Sequence, residues 1–177
     1  EDLLSVICPV MFDPAILPMK VSQDPTKDLI QQSAANFYDG VTEREALAFY
    51  KKMKDARDPE PPSYGLNSRL VKENGRLVEK TWKAEGLYGP AIKQIVSWLA
   101  RAAEVAENDH QKRTIETLID YYTTGDLRTF DAYNVLWLKD TASTVDFVNG
   151  FIETYDDPLG MRASWESLVN FKDARAT

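Results

Sequence analysis

Gly150-Phe-Ile-Glu-Thr-Tyr-Asp-Asp-Pro-Leu-Gly-Met-Arg-Ala-Ser-Trp-Glu-Ser-Leu-Val-Asn-Phe171 is the stretch whose reading decides the architecture. Two runs rich in aromatic and β-branched residues flank Asp156-Asp157-Pro158-Leu159-Gly160. Asp-Pro and Gly form turns, so the segment is predicted to be an antiparallel hairpin. With the turn centred between Leu159 and Gly160, Glu153 falls opposite Glu166, Phe151 opposite Leu168 and Tyr155 opposite Ser164. Side chains alternate along a strand, so Glu153, Tyr155 and Glu166 then share one face, with cross-strand Cβ atoms about 5 Å apart. Like charges so placed destabilise a sheet. Two carboxylates held there point to a guest of positive charge, a metal ion or a protonated amine. Asn149-Gly150 offers a rival turn, and a hairpin closing there would undo this pairing.

Outward from that segment, the chain alternates helical and strand patterns. Asn74-Gly75 lies between Leu70-Val-Lys-Glu73 and Arg76-Leu-Val-Glu79, a strong hairpin signal because a type I′ turn needs positive φ twice. Val71 should face Val78. Gly89-Pro90 opens the longest helix, with Ile92, Ile95, Val96, Leu99, Ala102, Ala103 and Ala106 at helical spacing. Asn108-Asp109 recaps a second helix carrying Ile115, Leu118, Ile119 and Tyr122, which Gly125 ends. Asp126 caps a third, with Phe130, Tyr133 and Trp137 inward. Thr42-Glu-Arg-Glu45 is a capping box for a helix bearing Ala46, Phe49, Tyr50 and Met53. Asp24-Pro25 is expected to open another helix, running through Leu29, Ile30, Ser33, Ala34 and Phe37. Before it, Pro9, Pro14, Pro18 and Pro25 favour an extended lead-in over a helix, with Leu3, Val6, Ile7, Val10 and Phe12 against the body.

The order is helices, hairpin, helices, hairpin. It predicts an α+β fold, mostly helical with a small antiparallel β-sheet completed in part by residues outside the chain. The 177 residues are read as one domain or lobe: 1–57 lead-in and helices, 64–85 hairpin, 89–138 helices, 145–172 hairpin. Asp58-Pro-Glu-Pro-Pro-Ser63 is the linker candidate. No initiating Met is present, and the chain reads as an excised piece of a longer protein.

An apolar fraction of 44%, with eight Tyr, seven Phe and four Trp, is that of a folded chain rather than a disordered one. The net charge of -7 leaves no basic stripe for phosphates, so nucleic acid is excluded as a partner. No apolar run reaches the roughly 20 residues of a membrane helix, and the N-terminus lacks signal-peptide order, so no membrane partner is expected. Cys8 cannot form an internal disulfide because it is the single cysteine, and it is expected to be a small buried apolar residue. A single cysteine fits a reducing compartment, and a cytoplasmic location is expected, with the periplasm as the alternative.

Phe151-Ile-Glu-Thr-Tyr-Asp-Asp-Pro-Leu-Gly-Met-Arg162 resembles the Phe-Ile-Glu-x-Tyr-x-Asp-Pro-x-Gly-x-Arg block of the dipeptidyl peptidase III family, zinc exopeptidases that release dipeptides from peptide N-termini. Asn36-Phe-Tyr-Asp-Gly-Val-Thr42, Gly65-Leu-Asn-Ser-Arg-Leu-Val-Lys72 and Trp137-Leu-Lys-Asp140 match in the same order. The resemblance spans nearly the whole chain and is nearest to bacterial members. It implies a lobe containing part of a β-barrel within a larger two-lobe metallopeptidase. It also implies that Glu153 and Tyr155 contact the N-terminal end of a peptide substrate and that Glu166 lines the same cleft. The family's His-Glu-x-x-Gly-His and Glu-Glu-x-x-Ala-Glu zinc signature is missing here. The resemblance therefore implies zinc in the intact enzyme, held by the remainder of the polypeptide, with no metal ligand and no activity in this piece.

On spacing alone, Glu153 and Glu166 are ordinary solvated strand carboxylates; the resemblance turns them into acceptors for the substrate's α-ammonium, whose pKa is about 8. Tyr155 is then the catalytic candidate, a phenol that polarises a carbonyl or developing oxyanion. Otherwise it packs at a strand edge. Asp157 and Arg162 are read as a structural pair across the turn. His110, the one histidine, is read as an exposed loop residue. No His or Cys stands at metal-ligand spacing from it, and no Gly-x-Ser-x-Gly elbow supports a triad. A glycosidase reading of the carboxylate pair, with Trp165 stacking on a sugar, has no other support. Phosphate-binding glycine loops are absent. The alternative to a peptidase lobe is a non-enzymatic helical protein-interaction module that binds a partner in an apolar groove.

Overall fold

Asn74 and Gly75 take positive φ, 50° and 76°, the two-residue turn that hairpin twist demands. In the computed structural model, which describes residues 2–13, 16, 20–173 and 176, that turn joins β2 (Ser68–Glu73) to β3 (Arg76–Thr81), with Val71 opposite Val78. A two-residue strand, β1 (Tyr38–Asp39), runs parallel to β2, so this sheet is mixed. Two residues carry no periodicity. β1 is a strand because its neighbour Phe37 offers its carbonyl to the Leu70 amide at 3.0 Å.

Helix α2 (Glu43–Met53) starts from the Thr42 capping box, in which the hydroxyl and the Glu45 carboxylate each satisfy the other residue's amide. Helices α3 (Gly89–Glu104), α4 (Asp109–Thr124) and α5 (Leu127–Lys139) follow, with Pro90 in the first turn of α3 and Asn108 and Asp126 capping the other two. They present Ile92, Leu118, Tyr122, Phe130 and Tyr133 to a core that also takes Trp82, Phe151 and Ala163. A second core gathers Ile30, Tyr38, Val41, Ala46, Tyr50 and Leu70. Phe37 packs on both.

The last elements, β4 (Val145–Glu153) and β5 (Ser164–Phe171), form a separate antiparallel hairpin. Gly150 passes so close to α5 that a Cβ there would lie 2.9 Å from the Phe130 ring. Trp165 donates from Nε1 to the Tyr122 phenol at 2.8 Å, and Tyr122 in turn bonds Asn149. The architecture is α+β and mainly helical, as the pattern predicts.

Three local expectations fail. Residues Leu3–Phe12 form a helix, α1, with Pro9 inside it. Asp2 accepts from the Leu4 amide, and the Asp13 amide closes the last turn on Pro9, so the proline removes one donor without unmaking the helix. Its apolar side chains do not lie against the body: Leu3, Val6, Ile7, Val10 and Phe12 are exposed, and so is Cys8. Pro14 and Pro18 lie outside the described residues. No helix runs from Asp24 to Phe37. Acidic side chains there take backbone donors a helix would need: Asp24 accepts from Thr26, Asp28 from Gln31 and Glu43, and Glu43 from Leu29. Third, His110 sits in the first turn of α4 rather than in a loop, half-buried, with Nε2 2.9 Å from the Leu136 carbonyl oxygen. No helix among the described residues is long and apolar enough to cross a membrane.

Candidate functional site

Glu153 does not face Glu166 across the hairpin. The ladder pairs Glu166 with Gly150 and Phe151 with Trp165, then slips by one residue so that Glu153 pairs with Ser164. The connection is also longer than a tight turn, since residues 154–163 belong to neither strand. Tyr155 falls in that connection, 70% exposed, and not opposite Ser164.

The slip nevertheless brings the two carboxyls together. Along β5 Ser164 and Glu166 share a face, and a bulge that moves Glu153 opposite Ser164 moves it to that same face. The Glu153 carboxyl is held above its ordinary value, first because it shares a hydrogen bond with Glu166, then by partial desolvation and by the neighbouring charge. Two carboxyls placed so close repel once both are ionised, and a cationic donor between them relieves that repulsion. Ser164 also accepts position from the other strand, donating its hydroxyl to the Glu153 carbonyl at 3.2 Å.

The same hairpin borders an open groove of about 940 Å³ whose walls include Phe37, Trp82, Tyr88, Ile92, Phe151 and Trp165. Ser164, the partner of Glu153, and Asp156, the residue after Tyr155, both line it. Lys20 pairs with Asp156 at 2.6 Å on its rim. The groove is largely apolar with a few polar groups in its wall, the form of a site that receives an organic ligand.

Sequence spacing missed what holds the connection in place. Asp157 and Arg162 do not simply pair across the turn. The Asp157 carboxylate accepts from the amides of Leu159, Met161 and Arg162 and from the Tyr38 phenol at 3.1 Å. Arg162 is 0% exposed, donates to the Tyr38 oxygen at 2.8 Å and to the Tyr50 oxygen, and lies over both rings. Tyr50 passes the chain on to Glu79 at 2.6 Å, where the Ser68 hydroxyl also donates. Burial pushes both phenols up, with Arg162 partly offsetting it, so each remains a donor to its carboxylate at neutral pH. The Asp-Pro-x-Gly-x-Arg spacing marked the turn; nothing in it pointed to Tyr38 or Tyr50.

Among the described residues no three His, Cys, Asp or Glu side chains lie together as a metal ligand set. Glu153 and Glu166 supply two oxygen donors with no third beside them, a donor set that does not fit zinc.

Residues 67–177 match the model of peptidase family M49. The chain belongs to that family. Asn36–Thr42, quoted above for the resemblance, lies before the matched part of this M49 chain. Dipeptidyl peptidase 3 of Homo sapiens is 32% identical over 84 residues, which cover 48% of the chain and 11% of that protein. The Rattus norvegicus protein is 31% identical over the same span, with the same coverage. The aligned part of this M49 chain thus spans about a ninth of the relatives it matches. Two solved structures share its fold. Dipeptidyl-peptidase III from Corallococcus sp. strain EGB superposes with a TM-score of 0.63 at 23% identity, over 80% of the chain and 26% of that protein. DPP III from Caldithrix abyssi gives 0.64 at 20%, over 89% and 30%.

Proposed function

We propose that this M49 chain is the substrate-binding part of a dipeptide-releasing peptidase, and that Glu153 and Glu166 together receive the free α-ammonium of the peptide. The observation that carries this reading is the meeting of the two carboxyls on one face of the hairpin, next to Ser164 and Asp156, which line an apolar groove. An ammonium offers three donors, enough to bond both carboxylates at once and cancel their repulsion. The result is selective for chain ends, because an internal amide has no such charge. Tyr155, exposed in the connection two residues beyond Glu153, is free to donate its phenol to a substrate carbonyl.

Zinc, as the family resemblance implies, would be held by residues of the intact protein other than those described here and would supply water activation there. This chain alone would then bind peptide amines without cleaving them. A non-enzymatic interaction module, the other class legible in the sequence, would draw on the exposed apolar side of α1; family membership weighs against it.

The test is Glu153→Gln in the full-length protein. Losing a charge-assisted bond of about 1.5–3 kcal/mol should cut kcat/KM for a dipeptidyl chromogenic substrate by roughly 10–100-fold. Thermal stability should not fall at neutral pH, because the substitution removes one of two repelling carboxylates, so a loss of activity would not reflect unfolding. Unchanged kinetics would remove the amine-recognition role.

A further inference from the structure

The geometry points to Arg162, clamped between Tyr38 and Tyr50, as the positioning residue that sets where Glu153 and Glu166 meet the substrate amine. This inference rests on the amine-recognition reading above.

Glu153 ends β4 and Glu166 is the third residue of β5, on either side of a ten-residue connection, and a connection of that length fixes no register by itself. Its geometry is imposed from inside. Asp157, four residues after Glu153, gathers three amides of the connection onto its carboxylate. Arg162, four residues before Glu166, locks the same carboxylate's phenol partner to a second phenol on α2. Leu159 and Met161 pack into the core of Tyr38 and Tyr50, while Ala163 is buried in the other core and donates its amide to the Leu66 carbonyl at 2.9 Å. The connection therefore spans both cores, and Arg162 is its fully buried charge.

A guanidinium suits this task because its planar fork can reach two oxygens in fixed directions while stacking on aromatic faces; an ammonium reaches as a point charge. Tyr38 is the hinge of the arrangement, because its one oxygen accepts from Arg162 and donates to Asp157. Removing that oxygen alone leaves the ring, the stacking and the core volume in place. The bulge that carries Glu153 onto the face of Glu166 is then free to slip.

The experiment is a double-mutant cycle in the full-length enzyme with Tyr38→Phe and Glu153→Gln, following KM and kcat for a dipeptidyl chromogenic substrate. Tyr38→Phe is expected to raise KM about tenfold with kcat within about twofold, a cost of one positioned hydrogen bond. In the Glu153→Gln background the same change should have no further effect, since it acts through Glu153. Arg162→Lys should reproduce the Tyr38→Phe profile if the phenylalanine variant does not fold. A Glu153→Gln enzyme with unchanged KM overturns the amine-recognition reading and this inference with it. A weakened Glu153→Gln enzyme whose loss simply adds to that of Tyr38→Phe, or a Tyr38→Phe enzyme with wild-type KM, overturns the positioning role alone.

Discussion

Trp165 Nε1 donates to the Tyr122 phenol at 2.8 Å, tying the second strand of the terminal hairpin to the middle helix of the bundle. Apart from its ladder with β4, β5 has few other ties to the body, and its residues from Trp165 to Phe171 are exposed. Tyr122 is fully buried and accepts from Trp165 while bonding Asn149 on β4, so one phenol fastens both strands. Tyr122→Phe should therefore cost about 1 kcal/mol, since it leaves the Trp165 indole donor and the Asn149 amide oxygen without their phenol partner. Urea unfolding followed by tryptophan emission measures it, with a red shift of the native spectrum as Trp165 gains water. A variant as stable as the parent, with the parent's spectrum, contradicts the fastening role.

Gly150 admits no side chain. It lies opposite Glu166, and an added Cβ would meet Cε2 and Cζ of Phe130 at 2.9 Å, a distance real contacts do not show. Gly150→Ala should destabilise the protein by about 1–3 kcal/mol, the usual cost of overpacking. Phe130→Leu made together with it should recover part of that loss, because the shorter side chain vacates the space. Strictly additive losses in the two single variants and the double would show that the close approach is not the cause.

These two contacts also explain which parts of the fold could be read from residues alone. The Asn74-Gly75 hairpin and the capped helices α2, α4 and α5 were legible because their signals are local: positive φ at two positions, or a side chain that bonds an amide two or three residues on. The terminal hairpin was legible as a hairpin and illegible in register. Its connection is fixed by Tyr38 and Tyr50, more than a hundred positions from Arg162, and sequence periodicity carries no trace of such partners. Centring the turn by pattern put Glu153 opposite Glu166, whereas the ladder gives Glu166 to Gly150 and a bulge restores the meeting by another route. Pro9 misled for the opposite reason, a strong local signal outweighed by Asp2 at the start of its helix. Tyr155 was placed on a strand that ends two residues earlier.

The Thr42 capping box predicts a definite acid response. The Glu45 carboxyl is lowered to about 2, first by its bond from Lys72, then by the amide and hydroxyl of Thr42. A carboxyl lowered in the folded state adds stability above its ordinary 4.5, and that stability drains away as pH falls through the folded value. Lys72→Met should thus lower the melting temperature at neutral pH, and the gap from the parent should close between pH 4.5 and about 2. A gap that persists unchanged at the acid end would place the Lys72 contribution elsewhere than in Glu45.

The Glu153 and Glu166 pair predicts the reverse slope. Glu153 is raised in the folded state, chiefly by its hydrogen bond with Glu166, so its contribution is fully present below the ordinary carboxyl value of 4.5 and is lost as pH rises through the raised one. Above that window the two carboxylates repel, and removing one relieves the repulsion. Glu166→Gln should therefore gain on the parent in melting temperature as pH climbs from 4 toward 7, the sign opposite to that of Lys72→Met. In the same variant the Glu153 side-chain carboxyl, followed by carbon NMR, should titrate at a lower pH than in the parent. Saturating the parent at neutral pH with a dipeptide amide should mimic the substitution, because a bound ammonium cancels the same repulsion. A Glu153 titration that is identical in parent and variant would mean that the two carboxyls do not share a proton, and the case for a cation between them would lose its footing.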